Sequence, residues 1–172
     1  MRINVAALKR AVGDSEHFTL EEQLSSLDLK DGKVIFLEPV KVSLKVTNVG
    51  NYLHASGTIS CTADLNCGRC LESYSYPLTT QFEEKYYVAE VGLKDVENQD
   101  EEYIPFSKDA IDITNEVVAA IQLSLPMRQI CSEGCKGLCS HCGTNLNNGQ
   151  CNCQEDDIDP RMAVLKDLFK KK

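Results

Sequence analysis

Apolar and polar residues alternate without fault from Val40 to Thr47: Val40, Val42, Leu44 and Val46 fall on one face, Lys41, Ser43 and Lys45 on the other. A second stretch, beginning at Tyr52, keeps Leu53, Ala55, Ile59, Cys61, Ala63 and Leu65 in one phase. A third, beginning at Ser73, does the same with Tyr74, Tyr76, Leu78, Phe82, Tyr86 and Val88. Successive side chains of a strand point to opposite faces, so these patterns predict three half-buried antiparallel strands. The turn "NVGN" joins the first two, and "NCGRC" forms the tip of a long hairpin between the second and third. Upstream, "KVIFLEPV" begins the meander. "RINV" reads as a short strand, followed by a helical or turn segment to Gly13 and a further strand.

The period then changes. Ile113, Val117, Val118, Ile121 and Leu125 recur at helical spacing, and Pro126 ends the run. "DPRMAVLKDLFKKK" predicts a terminal helix with Asp159 as N-cap, Pro160 at the first helical position and a stripe of Met162, Leu165, Leu168 and Phe169. Residues from about 83 to 102 carry eight acidic and two basic side chains and read as a charged loop. The expected fold class is α+β: an antiparallel β-meander or partial barrel with one packed helix, a zinc-ribbon-like segment and a short terminal helix. The expected division is a β-rich core over residues 1–126 and a cysteine-rich extension over 127–172.

Composition sharpens the picture through cysteine. The opening residues lack the features of a signal peptide, and the longest purely apolar run is Val117 to Ile121, too short to span a membrane. The expected location is therefore cytoplasmic, where thiols stay reduced. Nine cysteines is also an odd number for a closed disulfide framework. Six of them lie in "CSEGCKGLCSHCGTNLNNGQCNC", between Cys131 and Cys153. Cys139 and Cys142, followed by Gly143, have the spacing of a zinc knuckle, and Cys151 with Cys153 supplies two more thiolates for a tetrahedral site. Asn145, Asn147, Asn148 and Gly149 provide turn chemistry between the pairs.

Cys67 and Cys70 form another C-x2-C pair. Cys61 falls on the apolar face of its strand, which suits a buried structural thiol. Setting it aside leaves eight thiols, enough for two four-sulphur zinc sites. The economical pairing gives Cys139, Cys142, Cys151 and Cys153 one ion, and Cys67, Cys70, Cys131 and Cys135 the other. Spacing leaves alternatives open: Cys135 or His141 could serve the ribbon site, and a single zinc with spare thiols also fits. Such C-x2-C pairs also occur as redox motifs, there at helix N-termini rather than in a hairpin turn.

Charge and motif content narrow the function. The net charge is −8, but the acidic stretch accounts for most of it. The remainder is close to neutral, with basic positions at Arg128, Lys136 and Lys166 to Lys172 that could meet phosphate. Arg69, Arg128, Lys136 and His141 are the candidate contacts to RNA or to a protein partner. The three histidines sit in unrelated contexts, and no nucleophile elbow, P-loop or HExxH motif occurs. Four-cysteine sites leave no open coordination position, so the zinc is expected to be structural and the protein not an enzyme.

Four segments in order, "CGRCLE", "IDITNEVVAAIQLSLP", "CSEGCKGLCSHCGTNLNNGQCNC" and "DPRMAVLKDLF", closely resemble the YceD family of large ribosomal RNA subunit accumulation proteins. The chain is similar to its cysteine-rich, metal-binding branch. Other members keep the central C-x-R-C pair without the full C-terminal cluster. The resemblance implies a non-catalytic cytosolic factor in ribosome biogenesis, supporting processing or accumulation of large-subunit ribosomal RNA. Its implied partner is the ribosomal RNA precursor or a ribosomal protein. Two rival readings are a redox-sensitive zinc chaperone, which would lose zinc on oxidation, and a protein-interaction adaptor.

Overall fold

The computed structural model describes residues 1–29, 32–89 and 103–153. It divides into two compact units, one of Met1–Asn66 with Ser73–Gln129 and one of Cys67–Glu72 with Ile130–Lys172. The first unit is mostly β-sheet. Its strands are β1 (Arg2–Asn4), β2 (Ser15–Glu22), β3 (Leu27–Leu29), β4 (Gly32–Phe36), β5 (Val40–Asn48), β6 (Leu53–Asn66), β7 (Ser73–Val88), β8 (Ile104–Phe106) and β9 (Ala110–Asp112). Among its described residues, a short 3-10 turn at Leu8–Arg10 and one helix, α1 (Thr114–Ser124), complete it.

β6 is the organising strand. β7 pairs with it antiparallel along its whole length, from Leu53 opposite Tyr86 to Asn66 opposite Ser73. On its other edge β5 pairs with Leu53–Ser60, and β4 follows end to end at Ala63 and Asp64. β2 extends the sheet beyond β5, and β3 beyond β4. β1 and β9 form a separate two-stranded sheet. The long antiparallel strands agree with the alternating pattern. Among the described residues the sheet is not a closed barrel, and β4 and β5 share one edge of β6 where a simple meander would place them side by side.

Burial follows the alternation. Val40, Val42, Leu44 and Val46 from β5 meet Leu53, Ala55, Ile59 and Cys61 from β6 and Leu78, Phe82 and Tyr86 from β7. α1 closes this core with Val117 and Ile121, and Met1, Ile3, Val5 and Leu8 enter from the first residues. Each such side chain buried contributes about 1.5–3 kcal/mol. Gly57 lies on the core face opposite Leu44. A Cβ there would stand 2.1 Å from the Ser43 carbonyl oxygen and 2.5 Å from Leu44 Cα, so only glycine lets β5 and β6 approach this closely.

Two expectations need correction. The acidic stretch does not begin as a loop: residues 83–88 continue β7, with Tyr86 buried opposite Leu53. Glu83 is exposed on the outward phase, while Glu84 is half-buried in the phase of Phe82 and Tyr86. The sheet is also not purely antiparallel, since β8 joins β7 in parallel from Tyr86–Ile104 to Val88–Phe106. The terminal helix expected from Asp159 onward and the remainder of the acidic stretch, residues 90–102, lie outside the described residues.

Candidate metal centres

The second unit begins with the six residues between β6 and β7. Their chain reverses through two backbone bonds: Cys67 N–H donates to the Glu72 carbonyl at 2.9 Å, and Leu71 N–H to the Cys67 carbonyl at 2.8 Å. Arg69 N–H points at Cys67 Sγ, 3.4 Å away. This geometry places Leu71 in the left-handed region, φ +60°. A second turn of the same plan runs through Cys139 to Gly143, where Gly143 N–H donates to the Cys139 carbonyl at 3.0 Å and has φ +72°.

Cys67, Cys70, Cys131 and Cys135 converge, their sulphurs all within 4.8 Å of one another. Cys139, Cys142, Cys151 and Cys153 converge in the same way. His141 is exposed and belongs to neither group, and Cys61 is buried in the first unit on the core face of β6. Among the described residues these are the two clusters that could hold a metal.

The sulphur spacing allows a direct test of fit. Four sulphurs each about 2.3 Å from a central zinc stand about 3.8 Å apart along the edges of a tetrahedron. Cys67 Sγ lies 3.8 Å from Cys135 Sγ, and Cys70 Sγ 3.8 Å from Cys131 Sγ. A disulfide would require about 2.05 Å, and all nine cysteines are free thiols. The donor set and its spacing both suit a tetrahedral ion with soft ligands.

Electrostatics point the same way. Burial disfavours the Cys67 thiolate, but backbone N–H groups of Cys131, Cys70 and Arg69 prevail and hold the thiol at about 6. At Cys70 the Glu72 amide favours ionisation, yet burial and the neighbouring thiols of Cys67, Cys135 and Cys131 push it up to about 12. In the other cluster the Thr144 hydroxyl, 3.1 Å from Cys142 Sγ, and the Thr144 amide hold Cys142 at about 6. Cys142 in turn raises Cys153, which with burial and Cys139 reaches about 12. Two thiols in each group, Cys67 with Cys135 and Cys139 with Cys142, are held down by N–H or O–H donors, and the other two are pushed up. A cation held by the four sulphurs would remove that opposition and favour the thiolate form of all four.

The clusters differ in their surroundings. Cys67, Cys70 and Cys135 are buried and only Cys131 is exposed, whereas Cys142 is exposed and Cys139, Cys151 and Cys153 are half-buried. The first is also braced. Arg69 Nη1 donates to the carbonyls of Glu133 at 3.1 Å and Cys135 at 2.9 Å, and the Arg69 carbonyl accepts Leu138 N–H at 3.1 Å. Gly137 makes that approach possible: it has φ +74°, and a Cβ would lie 3.0 Å from the Arg69 carbonyl oxygen.

Asn147 has a role that turn chemistry alone did not single out. Its Oδ1 accepts Lys136 N–H at 2.8 Å while its Nδ2 donates to Cys135 Sγ at 3.3 Å. Asparagine followed by Leu, Asn and Asn after a knuckle was the only signal available. Lys136 and His141 are exposed in this unit, and Arg128 is exposed in the first unit.

The comparisons with known proteins bear on this arrangement. The family model for large ribosomal RNA subunit accumulation protein YceD matches residues 55–169. A chloroplastic YCED homolog 1 of Arabidopsis thaliana is 28% identical over 155 residues, covering 76% of this chain and 48% of that protein. Its counterpart in Zea mays is 29% identical over 159 residues, covering 77% and 54%. The chain thus spans about half the length of these plant relatives. The uncharacterized protein YlbN of Bacillus subtilis is 26% identical over 171 residues, covering 99% and 97%. No solved structure matches the chain.

Proposed function

Because this chain belongs to the YceD family of large ribosomal RNA subunit accumulation proteins, we propose that it is a non-catalytic factor in ribosome biogenesis with two structural zinc ions. It acts in the cytoplasm and supports processing or accumulation of the large-subunit ribosomal RNA, by contact with the precursor RNA or with a ribosomal protein on it. The observation that carries the metal assignment is the pair of four-sulphur clusters, one of them with 3.8 Å edges. Zinc held by four thiolates has a complete shell and supplies no Lewis-acid position for a substrate. Its contribution is to tie chain segments together.

Partner contact falls to polar groups left exposed. Lys136 and His141 offer donors on the second unit, and Arg128 offers one on the first. Arg69 contributes differently, because its guanidinium already holds the Glu133 and Cys135 carbonyls and so shapes the surface more than it presents charge.

The test is metal content by elemental analysis of the full chain purified under reducing conditions. Two zincs per chain are expected, falling to one when Cys67 and Cys70 both become serine. One zinc in the unchanged chain, unaffected by that double substitution, would confine metal to Cys139, Cys142, Cys151 and Cys153 and refute the first site. The biological reading is checked by large-subunit ribosomal RNA abundance in a deletion strain, where no deficit would refute it.

A further inference from the structure

The two cysteine turns share one plan but differ at one position. In both, the residue directly after the second cysteine donates its N–H to the carbonyl of the first cysteine and adopts the left-handed conformation. At Gly143 this carries no steric cost. At Leu71 a Cβ crowds the backbone in the same conformation. The turn itself has no use for the leucine, which is 68% exposed and gains little from burial. A strained residue that persists while projecting a large apolar side chain into solvent points to an encounter outside the chain.

Charge indicates what that encounter is with. This step rests on the two-zinc reading above. Zinc bound by four thiolates carries about two units of negative charge. Among the described residues of the second unit, Arg69 and Lys136 are balanced by Glu72 and Glu133, so nothing there neutralises the clusters. The Arg69 guanidinium is committed to backbone carbonyls. Glu72, next to Leu71, is exposed. A phosphate backbone approaching this turn meets charge of its own sign, whereas lysine and arginine side chains meet the opposite sign.

We propose that Leu71 is the apolar anchor of a docking site for a basic protein surface, inserting into a socket rimmed by lysine or arginine, with Glu72 at the rim of the contact. An aliphatic side chain in a desolvated centre with charge outside it is the usual anatomy of such an interface.

The experiment uses the full zinc-loaded chain and two probes: the basic proteins split from large ribosomal subunits by lithium chloride, and protein-free large-subunit ribosomal RNA. Binding of each is measured for the unchanged chain, Leu71→Gly and Glu72→Lys. Leu71→Gly is expected to weaken binding to the split proteins at least tenfold, with zinc content kept and the thermal midpoint not lowered, because glycine relieves the turn. Glu72→Lys is expected to weaken it in a manner that fades as salt is raised. Equal affinity of Leu71→Gly and the unchanged chain for the split proteins overturns the proposal. So does failure of the unchanged chain to bind them, or a Leu71 dependence seen only with RNA. Fewer than two zincs in the unchanged chain refutes the metal reading separately, and the Leu71 affinity ratio still decides the anchor.

Discussion

The cluster of Cys67, Cys70, Cys131 and Cys135 joins segments more than sixty residues apart, is mostly buried, and is braced by Arg69, Gly137 and Asn147. The cluster of Cys139, Cys142, Cys151 and Cys153 comes from one short stretch and is partly open to solvent. The donors are the same and the spacing of the C-x2-C turns is the same, yet the two clusters differ in burial and in the length of chain they span. Closing a long loop removes more freedom from the unfolded chain than closing a short one. Metal at the long-range cluster is therefore expected to contribute more to folding of the second unit than metal at the local one.

The largest effect that could break this contrast comes from the double substitution of Cys67 and Cys70 by serine. Metal-binding free energy at a structural site is folding free energy, on the order of 10 kcal/mol. Limited proteolysis should then cleave within residues 130–153 under conditions where the unchanged chain resists. The matching substitution of Cys151 and Cys153 should leave the Arg69 brace and one zinc in place. Equal sensitivity of the two variants would erase the distinction.

A second substitution separates the metal-bearing unit from the sheet. Gly57→Ala forces a Cβ against the β5 backbone and should destabilise the first unit by about 3 kcal/mol or more, read from urea denaturation. Zinc content should not change. Loss of metal from this variant would show that the two units do not hold their structure independently.

Chelator challenge sharpens the comparison at a smaller scale. The more exposed cluster should release its metal first, about tenfold faster, which corresponds to about 1.4 kcal/mol in barrier. Two-phase release followed with a colorimetric thiol-compatible indicator would show it. A single phase for both ions would mean that burial does not control exchange. Rapid release on peroxide treatment, with exposure of apolar surface, would instead favour the redox-sensitive chaperone reading.

The smallest effect concerns pH and lies far from the cysteines. The Thr114 hydroxyl, 2.6 Å from Asp112 Oδ1, and then the Arg2 guanidinium, 3.0 Å from Oδ2, hold the Asp112 carboxyl well below its ordinary range. A carboxyl depressed in the folded state adds stability above its unfolded value of about 4 and loses it as pH falls. The side chain is nearly half exposed, so solvent screening reduces the contribution to about 1 kcal/mol. Asp112→Asn should lower the thermal midpoint at pH 7 by a few degrees, and the difference should narrow below pH 4. A constant difference across that range would refute the assignment. Protonation of the cluster thiols at low pH should release metal in the same scan without tracking this change.

Several of these features were readable beforehand, and the reason is range. Alternation in β5, β6 and β7 reports burial of one face, a property each strand carries in its own residues. The helical spacing of Ile113, Val117 and Ile121 does likewise. The C-x2-C turns are equally local. Which cysteines converge was a different matter, since spacing left Cys135 or His141 open for the ribbon site, and contact across sixty residues brought Cys135 beside Cys67.

The parallel pairing of β8 with β7, the need for glycine at Gly57 and the grip of Arg69 on two carbonyls were invisible in the sequence. Each depends on a neighbour distant along the chain. An arginine in a turn does not announce which carbonyls it will find. The sequence determined the periods of the elements and the chemistry of eight paired thiols. Only the tertiary structure decided which edges pair, which backbones touch and which sulphurs meet, because those are free energies of contact between segments that no local pattern encodes.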